Sequence, residues 1–108
     1  MERQAILTQL GYSITPSVEA QLERVIANTL NFENVGKHLI SLHDALKAQQ
    51  SFVALSSNKD YFKIKNEAVS EEMKSAVNDM ILKWSEKYKI MVEKVPNKNT
   101  YYVIGYKA

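Results

Sequence analysis

Two histidines, one glycine-lysine pair, a cluster of glutamates and a set of lysines interleaved with tyrosines are the residues whose types could do chemistry in this chain. His38 and His43 lie five positions apart in a stretch of helical periodicity, roughly 140° apart around the axis. A shared zinc ion wants histidines four apart with a further ligand nearby, and no third ligand is evident, so both read as ordinary surface or boundary residues. Gly36-Lys37 lacks the earlier glycine and the following serine or threonine of a phosphate-binding loop. Ser41, His43 and Asp44 cannot make a nucleophilic triad, because near neighbours on a helix point in different directions. Glu67, Glu71 and Glu72 open a helical stretch, where the helix dipole alone accounts for carboxylates. The chain has no cysteine, which removes disulfides, thiolate metal sites and thiol nucleophiles together. No catalytic residue, metal or cofactor is therefore expected.

Binding chemistry has more support. The stretch Ile90 to Tyr106 reads as a β-hairpin that is apolar on both faces. One face gathers Ile90, Val92, Tyr101 and Val103 around Lys94; the other gathers Met91, Val95, Tyr102, Ile104 and Tyr106 around Glu93. Such a hairpin asks for cover on both sides, from the molecule's own helices in a three-layer domain or from a second chain. In the second case Met91, Tyr102, Ile104 and Tyr106 form the partner surface, or the edge of the final strand accepts a strand from another chain. Separately, Lys59, Lys63, Lys65, Lys94 and Lys98 accompany Tyr61, Tyr101 and Tyr102. The first reading of these lysines is that they solubilise strand edges. The second is that Lys59, Tyr61, Lys63, Lys98 and Tyr101 contact nucleic acid, with rings stacking on bases and ammonium groups tracking the backbone.

The elements that must carry these residues follow from periodicity. A short helix fits Glu2 to about Leu10, with Gly11 as its stop. Thr15 and Pro16 open a second helix with an apolar stripe of Val18, Leu22, Val25, Ile26 and Leu30. A third runs from about Phe32 to Ala48, with Asn31 as its cap and Val35, Leu39, Leu42 and Leu46 stacked turn upon turn. From Ser51 the period changes to two, and Val53, Leu55, Phe62 and Ile64 describe a one-faced hairpin around Ser57-Asn58-Lys59-Asp60. A long helix follows, capped by Asn66 or Ser70 and striped with Val69, Met73, Ala76, Val77, Met80, Ile81, Trp84 and Tyr88. The last hairpin turns at Pro96-Asn97-Lys98-Asn99, a turn that resembles the first without proving a repeat.

The expected architecture is α+β in one domain over residues 1–108: a helical half, 1–50, and a ββαββ half, 51–108, whose four strands form a mainly antiparallel sheet. The long helix is expected on one face, with the helical half beside or behind it. With 45% apolar and 24% charged residues the composition is that of a folded globular protein. No signal peptide or membrane span is visible, so the expected setting is the cytoplasm, without a membrane partner. Residues 1–50 hold four basic against five acidic residues, whereas 51–108 hold ten against seven, and all ten are lysines. Lysine lacks the guanidinium fork that reads bases, which argues against sequence-specific recognition. The leading expectation is a small non-enzymatic protein-interaction module, with a homodimer through the C-terminal hairpin as one form. The alternative is a low-specificity nucleic-acid binder using the lysine- and tyrosine-bearing hairpins, with a winged-helix arrangement of helices two and three and the first hairpin as a variant.

Overall fold

Two side-chain caps start the longer helices in the computed structural model, which describes residues 2–107. Thr15 Oγ1 accepts the Val18 N–H at 3.1 Å and starts α2, Pro16–Asn28, while Ser70 Oγ accepts the Met73 N–H at 3.1 Å and starts α4, Glu71–Tyr88. The first helix, α1, is Arg3–Gln9. The third is shorter than its periodicity suggests: α3 spans Gly36–Leu46, flanked by 3-10 turns at Phe32–Asn34 and Lys47–Gln49. Asn31 does not cap it. That residue adopts a left-handed conformation, φ 52°, and its side-chain amide donates to the Tyr106 carbonyl at 3.2 Å. Val69 precedes α4 instead of joining its stripe and is 69% exposed.

The strands are β1, Phe52–Leu55; β2, Phe62–Lys65; β3, Ile90–Lys94; and β4, Thr100–Tyr106. They form one antiparallel sheet in the order β1-β2-β4-β3. The architecture is α+β, with three helices, a hairpin, the long helix and a second hairpin in sequence. The final strand is thus interior to the sheet, and its edge is not open to a second chain; β3 holds that place.

Alternation decides which side of the sheet is buried. Val53, Leu55, Phe62, Ile64, Tyr101 and Val103 are each at most 5% exposed and share one apolar cluster with Leu7, Leu22, Val25, Leu39, Leu46, Val77 and Ile81. All four helices contribute to that cluster, whereas the alternate residues Phe52, Ala54, Met91, Tyr102 and Ile104 stand outside it and are only half-buried. The expected three-layer arrangement fails for this reason: the helices stack on one side, and the chain by itself makes two layers. Two contacts bear on the arrangement of α3 and the first hairpin. Leu39, Ile40, Leu42, His43 and Leu46 bury one face of α3, and the first turn is pinned to α2, where the Asn28 amide donates to the Asp60 carbonyl at 2.8 Å. No helix among the described residues is long and apolar enough to cross a membrane.

Side chains close the free edge of β1. Val53 N–H donates to His43 Nδ1 at 3.0 Å and Leu55 N–H to the Tyr12 hydroxyl at 2.9 Å. His43 is therefore a buried acceptor, 5% exposed, not a surface residue. Where β2 ends alongside β4, Leu30 takes its place: its N–H donates to the Ile104 carbonyl, and its carbonyl accepts from Tyr106 N–H. Gly105 permits this approach. With φ at +149°, a Cβ there would lie 2.5 Å from both Cβ and O of Leu30.

Gly105→Ala is accordingly expected to cost about 2–3 kcal/mol in urea unfolding. Gly11→Ala, also at positive φ but with nothing within 4 Å, costs closer to 1 kcal/mol. Equal losses at the two sites would refute the Leu30 contact as the reason. A second expectation concerns acid. Burial, then Lys47, lower the His43 pKa against the smaller opposing effect of Asp44, so the folded state refuses a proton that the unfolded chain accepts. Stability is then complete above the ordinary histidine pKa and falls as pH drops through it toward the folded value. Burial and Lys37 give His38 the same sign. Urea midpoints should fall on acidification and fall less steeply in His43→Gln; an unchanged slope would sink the assignment.

Candidate functional site

On β2 the order Phe62-Lys63-Ile64-Lys65 puts two apolar residues into the core, so both lysines must emerge on the open face. On β4 the inward Tyr101 and Val103 force Tyr102 outward in the same way. Register then sets Lys63 directly beside Tyr102, with Glu93 on its other flank and Ala54 beyond Lys63. The Tyr61 ring lies 5.3 Å from that of Tyr102 at a 36° tilt, and the Lys59 ammonium sits 5.7 Å from the Tyr102 ring centre. Tyr102 on β4 and Tyr61, the residue before β2, thus form an aromatic pair with Lys59 and Lys63 beside it and Glu93 on its β3 side.

Two adjoining depressions lie along this face, and a third lies beside the first turn. An open cleft between α2 and the first turn is lined by Arg24, Asn28, Lys59, Asp60 and Tyr61. A shallow groove over the sheet is floored by Lys63, Lys65, Thr100 and Tyr102, with Asn58 and Lys98 contributed by the two turns. A polar cleft of about 270 Å³ continues it past Lys65, Lys98 and Thr100 to Lys74 on α4. Carboxylates are few along the path. Arg24 meets Asp60 at 3.5 Å, Lys65 meets Glu67 at 3.2 Å and Lys74 meets Glu71 at 4.0 Å. Among the described residues Lys59, Lys63 and Lys98 form no ion pair.

The structure gathers Lys59, Tyr61, Lys63 and Lys98 with Tyr102, but it separates Tyr101 from them. Tyr101 faces the core, 3% exposed, and its hydroxyl donates to Asn78 Oδ1 at 3.0 Å; burial, then Asp79, raise its pKa. A ring so placed cannot stack on a base. The surface assigned to Met91, Tyr102, Ile104 and Tyr106 also divides. A bulge between Met91 and Val92 leaves Ile104 without a cross-strand partner and resets the register, so that Tyr106 pairs with the buried Ile90 and packs against the core cluster. Met91 and Ile104 remain outside that cluster and half-buried. Lys74 was not among the sequence candidates. Its sequence neighbourhood, the first turns of a helix rich in glutamate, carries no sign that it meets the second turn.

Among the described residues no three histidine, aspartate or glutamate side chains converge as a metal site. The arrangement offers cation-lined, aromatic and half-apolar surface, which suits binding. No protein-family model, curated protein or solved structure matches the chain.

The two adjacent tyrosines should respond oppositely to loss of the hydroxyl. Tyr101→Phe removes a buried hydrogen bond and is expected to lower unfolding stability by about 1 kcal/mol, whereas Tyr102→Phe changes it by a few tenths at most, about 0.3 kcal/mol. Indistinguishable unfolding curves for the two variants would contradict the inward placement of Tyr101.

Proposed function

We propose that the open face of the sheet binds single-stranded nucleic acid with little sequence preference. The observation that carries this reading is the Tyr61–Tyr102 pair on the uncovered face, flanked by Lys59, Lys63 and Lys98 with no ion-pair partners among the described residues. A half-buried ring on the uncovered face of a central strand offers a stacking platform for any base, and ammonium groups attract phosphates without reading base edges. Single strands suit such a platform because their bases are free to splay onto it, whereas a duplex keeps its bases stacked. Lysines at β2 and both turns line the direction in which a backbone would run. The reading includes no catalytic step.

Self-association is the second reading, favoured by the half-buried Met91 and Ile104 and by β3, which has a strand neighbour on one side only. Face-to-face pairing of two copies brings Lys59, Lys63 and Lys98 toward their own duplicates and costs Coulomb energy. A dimer in this reading joins through β3 instead, and the tyrosine face stays open.

Fluorescence anisotropy with short single-stranded DNA and RNA is the direct test. With about four lysines neutralising phosphates, log K should fall with log salt at a slope of about −3. Tyr102→Ala should weaken binding by about tenfold through lost stacking, and the Lys59→Glu, Lys98→Glu double variant should abolish most of it. Absence of binding by the parent chain at low salt would overturn the proposal, and sedimentation would then decide whether the β3 dimer exists.

A further inference from the structure

We infer that the polar cleft at the far end of the sheet is a phosphate subsite, taking the phosphate of a strand whose base lies on Tyr102. The inference rests on the nucleic-acid reading and adds a specific anchor to it. Three lysines from three separate elements line this cleft: Lys65 at the end of β2, Lys74 on α4 and Lys98 in the second turn. Glu67 is the one carboxylate lining it, 3.2 Å from Lys65. Glu71, the partner of Lys74, is 95% exposed at 4.0 Å and gives that lysine little compensation. The cleft thus holds an excess of positive charge, with Glu67 standing where a stronger anion would displace it.

The walls are held in place before any ligand arrives. Asn66, 3% exposed, donates through its amide to the Lys74 carbonyl at 2.8 Å and to Asn78 Oδ1 at 3.0 Å, and its backbone N–H donates to the Asn99 carbonyl at 2.9 Å. These bonds fix the backbones from which Lys65, Lys74 and Lys98 project, so the site needs only side-chain adjustment. Lys65 and Lys74 have side chains only 34% and 31% exposed, which leaves less rotamer freedom to lose on binding. Continuity with the stacking surface is direct, since Lys65, Lys98 and Thr100 line both this cleft and the groove floored by Tyr102. The same chemistry would accept a backbone phosphodiester or a terminal phosphate.

Affinities of the parent chain, Glu67→Gln and Lys74→Gln are to be measured with two short oligothymidylates, one carrying a 5′-phosphate and one without. Glu67→Gln should bind about threefold more tightly, a gain that misfolding cannot imitate. Lys74→Gln should bind about threefold more weakly, with the salt slope shallower by about 0.7. Equal effects on both oligonucleotides identify a backbone phosphodiester as the occupant, and effects confined to the phosphorylated one identify a terminal phosphate; either supports the subsite. Unchanged affinities in both variants, with the parent chain still binding, overturn the subsite and leave the sheet-face reading standing. If the parent chain binds neither oligonucleotide, the sheet-face reading falls and the subsite falls with it.

Discussion

The buried amide of Asn66 joins the three pieces of the C-terminal half. It satisfies its polar groups on three sides: the Lys74 carbonyl and Asn78 Oδ1 accept from it, and its own oxygen accepts the Ala68 N–H at 3.2 Å. Asn78 Oδ1 also accepts from the Tyr101 hydroxyl, so one chain of hydrogen bonds links the exit of β2, two turns of α4 and the middle of β4. Breaking such a network in a buried place leaves polar atoms without water or partners, which costs more than the bonds themselves contribute. The face choice of β4 follows. Tyr101 must point inward to reach Asn78, and parity then turns Tyr102 outward beside Lys63. The surface proposed to bind nucleic acid is in this sense the reverse side of an internal hydrogen-bond network.

Edge closure is the second determinant. A four-stranded sheet with one naked face risks pairing with its own copies, and three openings receive separate remedies, while β3 keeps a strand neighbour on one side only. His43 and Tyr12 occupy the N–H groups of β1, Leu30 fills the gap beside β4, and the bulge at Ile104 sends Tyr106 back toward the helices. The second remedy requires glycine at 105, and the first requires a neutral His43. Conserving the open face therefore depends on residues that never touch it.

Much of the architecture was legible in the residues, because the caps Thr15 and Ser70, the stripes of α2 and α4 and the alternation of β1 and β2 are local signals of well-defined period. What escaped is tertiary. The two-faced apolarity of the last hairpin suggested a sandwich, but Tyr106 owes its apolar neighbours to a bulge, and a bulge leaves no periodic trace. Asn66 looked like a helix cap by its position; in the fold its side chain reaches instead to Lys74 and Asn78 of α4, and its backbone N–H to Asn99 in the second turn. Of the candidate contacts, Lys59, Tyr61, Lys63 and Lys98 converge because turn and strand parity are local, whereas Tyr101 is lost to Asn78, a partner 23 positions away. Lys74 became visible only when α4 met the second turn.

Charge placement brings these points together. A net charge of +2 is too small to indicate an anionic partner. Yet the average conceals a separation. Glu71 and Glu72 sit in the first turn of α4, where they offset its dipole, and Glu23 is held by Arg3, while among the described residues Lys59, Lys63 and Lys98 form no ion pair. Burying the open face of the sheet under helices would require desolvating Lys63 beside Tyr102 without a counterion, and the cost of doing so explains why the helical layer stays on the other side. An incoming polyanion meets no such penalty, because it supplies the counterions itself and releases the small ions condensed along its backbone. On the proposed reading, the lysines that disfavour a helical cover are the groups that attract the polyanion.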